Sequence, residues 1–407
     1  PQGLDPHIVT GVPEHHLLIS MCEGLTIANP KGGDNLPGVA ESWSIDEAGK
    51  VYTFYLNKNA KWSNGDPLVA EDFVWSWKRI LTPSLGSQYP DMLYYVKGAA
   101  DFHQGLTNDF SNVGVKAINE NELRVELNNP TPFFIKLLSH YSTYPVHKNT
   151  ILAHGSIDDR NGQWTRPANF VCNGPMNLKT WELNKQITVE KNPLYWDAKN
   201  VKLNEIRYFP VSNESTEDRM FRAGQLHVTN VVPLEKCPVY IENKNPNLRI
   251  EPYMGTYFYR INTKHPVLKD KKIRLALAYA LNREQIVNKV SKCGQKAAYS
   301  FTPPGSANFE PDTEIPFDPD LAQSLMTEAG YPNGVDFPVL EILFNTQEGH
   351  RKIALAVQQM WQQNLGISVQ LVNQDWKVYL AREMTGDFQI SRAGWIGDYE
   401  DPNTFLD

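Results

Sequence analysis

Near the end of this 407-residue chain, Arg392-Ala393-Gly394-Trp395-Ile396-Gly397-Asp398-Tyr399 gathers residue types that bind rather than react. Arg392 and Asp398 carry opposite charges, and Trp395 offers a wide apolar face. That set suits a zwitterion with an apolar body, such as a short peptide. A carboxylate pairs with an α-amino group, and a guanidinium grips a carboxylate at two points. Gly394 and Gly397 let the backbone bend or let another chain come close. The same charges equally suit a structural network, in which Arg392 and Asp398 pair with each other or with neighbours.

Catalytic patterns are weaker. The sequence has no Gly-x-Ser-x-Gly elbow, no phosphate loop ending Gly-Lys-Ser/Thr and no His-Glu-x-x-His helix. Asp398 with Glu400 or Asp401 offers paired carboxylates of the kind that hydrolyse glycosides, but carboxylates on one turn are usually solvated or capping groups. His15 and His16 are adjacent, so on a helix they point apart and make a poor metal pair. Cys22, Cys172, Cys237 and Cys293 form no Cys-x-x-Cys motif. They are either isolated core thiols or pairs across the fold. No metal or cofactor is expected.

A net charge of −7 argues against nucleic acid and against a polybasic membrane surface as partners. The one basic cluster, Lys269, Lys271, Lys272 and Arg274, fits a helix start. No apolar run is long enough to span a membrane. At this length, two or three domains with ample cores are expected.

The elements that must position the charged stretch follow from periodicity. Phe388-Gln389-Ile390 reads as a short buried strand ending in a turn that carries the motif. Helical spacing is seen from Pro13 to Cys22, over 70–81 with acidic Glu71 and Asp72 in its first turn, over 133–138 and over 217–223. It recurs over 272–281, over 321–329 closed by Gly330, and over 350–364 ended near Gly366. Alternation predicts strands at 51–56, 123–127, 187–190, 206–209, 226–228, 340–344 and 367–372. The aromatic run 253–262 predicts a strand that crosses between domains. Strand, helix, strand towards the end suggests a parallel sheet whose loops bind ligand.

Arg-Ala-Gly-Trp-x-x-Asp-Tyr-x-x-Pro resembles the signature of the oligopeptide-binding receptors of peptide ABC importers and their murein-peptide-binding cousins. The resemblance also covers Leu4-Asp5-Pro6-His7, Pro37 to Trp43, Ala60-Lys61-Trp62-Ser63-Asn64-Gly65, Ala70 to Val74, Asn173-Gly174-Pro175, Tyr195-Trp196 and Asn373-Gln374-Asp375-Trp376. It implies an α/β periplasmic-binding-protein fold with two lobes, a hinge and a small inserted third domain, truncated at the C-terminus. The implied first lobe is 1–25 with 150–254, the inserted domain 26–149, and the second lobe 255–407. Both ends are expected to be cut.

The implied function is a solute receptor that closes two lobes over a short peptide and delivers it to an ABC permease without chemistry. It would be a monomer, periplasmic or lipid-anchored on the outer face of the cell membrane. The alternatives are a same-fold receptor for murein tripeptide, dipeptide or a metal chelate, and a peptide or glycan hydrolase. By the same resemblance, Asp398 holds the peptide ammonium and Arg392 its carboxylate. The main chain at Gly394 and at Thr10-Gly11-Val12 pairs with the peptide backbone. Tyr89, Tyr253, Phe258, Trp376 and Trp395 line pockets, and His350 reaches carboxylates. Two departures stand out. Gly255 and Ile396 replace cysteines that some members cross-link. Arg260 stands where an acidic residue is expected, and it either favours an acidic ligand side chain or faces solvent.

Overall fold

Pro13 in its first turn and Glu14 beside it begin α1 (Val12–Met21), which buries Leu17, Leu18 and Met21. In the computed structural model, residues 1, 3–251 and 253–406 are described. Gln2, Pro252 and Asp407, each inside an expected lobe range, lie outside them. The chain divides into two compact units, residues 1–210 with 398–400, and residues 211–397 with 401–407.

In the first unit, β1 (Ala40–Ile45), β2 (Val51–Leu56), β3 (Val115–Asn119) and β4 (Glu122–Glu126) form an antiparallel sheet in the order β1-β2-β4-β3. Between β2 and β3, α2 (Ala70–Leu81) buries Phe73, Trp77, Ile80 and Leu81 along one stripe. Asp72 caps it by accepting the Val69 N–H at 2.9 Å. These side chains share a core with Tyr52, Phe54, Leu123, Val125, Phe134 and Tyr399. A second core joins Leu4, Leu17, Leu18, Met21, Tyr141 and Tyr144 to a three-stranded antiparallel sheet. Its strands are β5 (Met176–Glu182), β6 (Gln186–Lys191) and β7 (Glu205–Tyr208). Arg79, fully buried, bonds both Asp5 oxygens at 2.9 and 2.6 Å. Removing either partner would strand a buried charge, at about 3–5 kcal/mol.

The second unit begins with α3 (Glu214–Arg222) and α4 (Cys237–Glu242). The sequence expected a strand at 226–228, but the chain there is irregular and pairs with no sheet. Next come β8 (Gly255–Ile261), α5 (Lys271–Tyr279), α6 (Pro319–Glu328), β9 (Leu340–Asn345) and α7 (Glu348–Leu365). The unit ends with β10 (Val369–Gln374), α8 (Trp376–Thr385) and β11 (Ile390–Ile396). The sheet order is β8-β11-β9-β10. β9 runs parallel to β10 and to β11, as the strand–helix–strand pattern predicted, while β8 pairs antiparallel with β11. On α7, Val357, Trp361 and Leu365 enter the core, and the Trp361 indole donates to the Leu277 carbonyl at 2.8 Å.

Two expectations change here. The motif is not a turn after a short strand. Residues 390–396 are themselves the strand, because β8 pairs along all seven of them and β9 supports the other edge. The cysteines, left open as core thiols or pairs across the fold, form two disulfides, Cys22–Cys172 in the first unit and Cys237–Cys293 in the second. The strand expected to cross between domains, β8, lies wholly in the second unit together with residues 211–254.

Candidate functional site

Asp398 belongs to the first unit, just past the end of β11. Its carboxyl lies 3.4 Å from His140 Nε2. His140 Nδ1 accepts the Ser142 N–H, which leaves the ring proton on Nε2, facing the carboxyl. The ring is nearly parallel to His15 at 6.5 Å, meets Tyr89 edge-on at 5.0 Å and lies 4.2 Å from Tyr141. Burial lowers His140 to about 3 and His15 to about 4, so both imidazoles are neutral at pH 7. Burial, and then the charge of Asp91, raises Asp398 to about 7. Burial pushes the Tyr89 and Tyr141 phenols up as well, so they stay protonated. The arrangement is a desolvated carboxyl, poised near neutrality, walled by aromatic rings and uncharged histidines. It favours a ligand cation.

Thr10 and Val12, both exposed, stand at the start of α1, whose next turns carry Glu14 and His15.

In the second unit, strand alternation places Arg392 and Gly394 on one face of β11 and Trp395 on the other. Register sets Arg392 opposite Tyr259 and Gly394 opposite Tyr257. The Arg392 guanidinium lies 4.9 Å over the Tyr257 ring, a cation–π contact, and Nη1 donates to Asn345 Oδ1 at 3.3 Å. Arg392 Nε is buried and has no hydrogen-bond partner among the described residues. His350, in the first turn of α7, lies 3.5 Å from the Tyr257 hydroxyl. Burial and the Arg392 charge lower it to about 3. Arg392, Tyr257, Asn345 and His350 thus form one cluster whose only permanent charge is the guanidinium.

The other expected residues lie outside this cluster. The Trp395 indole donates to the Thr404 carbonyl at 2.6 Å. Trp376 opens α8 and stacks on Tyr379, whose hydroxyl donates to the Arg392 carbonyl. Phe258 meets Phe301 edge-on at 4.8 Å. Tyr253 is 69% exposed, just before β8. Gly394 is exposed, and an added Cβ would meet nothing closer than 3.6 Å, so packing inside the unit does not require glycine there. Gly255 and Ile396, the positions that lack cysteine, face each other directly in the register. Arg260 is ion-paired with Glu383 at 2.8 Å.

His140, Asp91, Tyr257 and Asn345 escaped the sequence reading. Tyr257 had a usable signal, since it alternates with Tyr259 in a strand, but its partner strand was unknown. His140 and Asp91 lie in short irregular segments with no pattern to mark them.

A mixed α/β chain in two units, each with a charged group framed by aromatic rings, has the makeup of a solute receptor. The chain belongs to the bacterial extracellular solute-binding proteins: the family described as "Bacterial extracellular solute-binding proteins, family 5 Middle" matches residues 36–407. It is 38% identical over 415 residues to the periplasmic oligopeptide-binding protein OppA of Escherichia coli (strain K12), covering 100% of this chain and 74% of that protein. The structure of the Escherichia coli murein tripeptide binding protein MppA matches with a TM-score of 0.92 at 34% identity, covering 100% of this chain and 79% of that one. Haemophilus influenzae OppA in complex with the peptide RPPGFSPFR matches with a TM-score of 0.89 at 33% identity, covering 100% of this chain and 80% of that one. Among the described residues, no helix is long and apolar enough to cross a membrane.

Proposed function

We propose that this chain is a receptor for short peptides that passes them to the permease of an ABC importer and performs no chemistry on them. One observation carries the reading: the half-buried Asp398 carboxyl, raised to about 7 by desolvation and then by the charge of Asp91, lies against the neutral His140 ring that Tyr89 and Tyr141 flank. A peptide ammonium at Asp398 forms a charge-assisted bond worth about 1.5–3 kcal/mol once water is excluded. Arg392, with an unused buried N–H, receives a ligand carboxylate, and His350 assists as a neutral donor. The open face of Gly394 and the segment Thr10–Val12 take the peptide backbone, which every sequence shares. Tyr89, Tyr253, Phe258, Trp376 and Trp395 bound the side-chain pockets.

Within the first unit, the separate core around β1–β4 supports residues 26–149 as an inserted domain; of the lobe bounds expected at 1–25 with 150–254 and at 255–407, residues 211–254 group instead with the second unit. The receptor acts as a monomer on the outer side of the cell membrane, either free in a periplasm or held there by a lipid. Free peptides are favoured over a murein tripeptide, because the Arg260 guanidinium that would select an acidic side chain is already engaged by Glu383.

Native mass spectrometry of gently purified protein, followed by calorimetry with trialanine and N-acetyl-trialanine, tests the reading. Mixed co-purifying peptides and at least tenfold tighter binding of the free amine are expected. Equal binding of both peptides, a single muropeptide in the purified sample, or turnover of trialanine would overturn it.

A further inference from the structure

Among the described residues of 211–254, which group with the second unit, none joins a sheet ladder. Their non-covalent grip centres on the first turn of α7. Glu235 pairs with Lys352 at 3.0 Å, and Lys352 also reaches Glu348 at 3.2 Å. The Glu214 carboxyl is held by the Gln347 side chain and the Gly349 N–H. Leu234 lies against Gly349, where a Cβ would meet its methyl at 3.6 Å. A cavity of about 210 Å³ remains along this seam, lined by Glu214, Glu217 and Asn230 on one side and by Asn345 and Gln347 on the other.

These same residues frame the Arg392 cluster. Asn345 accepts from Arg392, and the turn from Gln347 to Lys352 carries His350. The docked segment therefore packs against the residues that carry the partner of the guanidinium and the imidazole. The Lys352–Glu235 pair is exposed at both ends, 36% and 45%, and contributes little. The strong tie is covalent: Cys237 at the start of α4 is bonded to Cys293, 56 residues on.

We propose that the Cys237–Cys293 disulfide is a redox-sensitive clasp that positions the Arg392–His350 cluster, so that ligand affinity depends on its oxidation. This rests on the peptide-receptor reading above. Cys237 is fully buried, but Cys293 is partly exposed, between exposed Lys292 and Gly294, both in left-handed backbone. A thiolate of a dithiol donor attacks the Cys293 sulfur, and the Cys237 thiolate leaves and takes up a proton. The donor's second thiol then attacks its own sulfur in the mixed disulfide and releases Cys293 as a thiol. The protein gains two electrons and two protons, and the donor ends as a disulfide. The other disulfide is shielded, with Cys22 and Cys172 both buried, so it is the internal control.

The test is graded reduction of the full chain with dithiothreitol, with alkylation to map the thiols, hydrogen exchange on each form, and calorimetry with trialanine. Cys237 and Cys293 should be freed first. Exchange should then rise in residues 211–250 and 345–352 but not in β1–β4. Affinity for trialanine should fall about tenfold and return on reoxidation, and a Cys237→Ser, Cys293→Ser double variant should match the reduced form. Unchanged exchange in those segments, earlier reduction of Cys22–Cys172, or equal affinity in both forms would overturn the clasp. If the oxidised chain binds no peptide at all, the receptor reading fails, and the exchange arm still decides whether the disulfide docks the segment.

Discussion

Glu23, buried, and Asp398, half-buried, are carboxyl groups of the first unit, and desolvation raises each to about 7. Their surroundings are opposite. Glu23 accepts from the Tyr195 hydroxyl and from the Trp196 indole at 2.7 Å, while its own main chain is gripped by Asn173 at 3.1 and 2.8 Å. It sits beside the Cys22–Cys172 bridge, in a network closed by the chain itself. Asp398 meets His140 at the longer distance of 3.4 Å, and rings make up much of its wall. A raised carboxyl therefore marks burial, not function. What marks Glu23 as structural is that Tyr195, Trp196 and Asn173 tie it into the fold.

The largest effect expected from this contrast is on stability at Glu23. Its folded pKa stands above the unfolded value, so the proton it holds stabilises the fold. That contribution is complete below pH about 4.5 and is lost as pH rises through 7. The shift corresponds to roughly 3 kcal/mol at most. Glu23→Gln, which cannot ionise, should remove this slope, so that urea unfolding between pH 5 and 8 becomes flatter than in the parent chain. An unchanged slope would mean that Glu23 is not the titrating group. Next in size is Asp398→Asn. It should weaken trialanine by about 10- to 100-fold, the worth of one charge-assisted bond, and leave N-acetyl-trialanine nearly unaffected in calorimetry. By the same linkage, Asp398→Asn should also flatten the fall of stability between pH 4 and 7, whereas in Glu23→Ala the hydroxyl of Tyr195 and the indole of Trp196 lose their acceptor.

The sequence revealed elements whose signal is local. Residues 70–81 and 348–365 repeat apolar side chains at helical spacing, and both are helices with those residues inward. Residues 51–56 alternate and form a strand. The charged residues Arg392 and Asp398 were also visible, through their types and through the resemblance of the surrounding motif. What could not be read was long-range. Glycines at 394 and 397 suggested a turn, whereas ladders on both edges hold 390–396 extended. Tyr257 meets Arg392 only because β8 pairs antiparallel with β11 in one particular register, and a shift of one residue would turn it to the other face. His140 reaches Asp398 across more than two hundred residues, and Cys237 reaches Cys293 across 56.

The pH dependence of binding sharpens the contrast further. Only ionised Asp398 attracts an ammonium, and its carboxyl gives up its proton near 7. Affinity for trialanine should therefore rise by up to about tenfold per pH unit below 7, then level off before the peptide amine itself loses its proton near 8. The groups around Asp398 do not share this range. His140 and His15 are already neutral, and Tyr89 and Tyr141 remain protonated. Asp91 acts through its charge, so Asp91→Asn should move the midpoint to lower pH. A pH profile that survives in Asp398→Asn would assign the titration to some other group.

The last expected effect lies at the edge of the closed network. Tyr195→Phe deletes one donor to Glu23 and leaves the Trp196 and Asn173 bonds in place. Losing a bond to an ionised acceptor should cost about 1.5–3 kcal/mol above pH 7, and less below pH 5, where Glu23 is protonated. The predicted signature is thus a steeper fall of stability with rising pH, because the carboxyl is pushed still higher when a donor to its charged form is lost. Peptide affinity should not change. If it did, the two carboxyls would be energetically coupled within this unit.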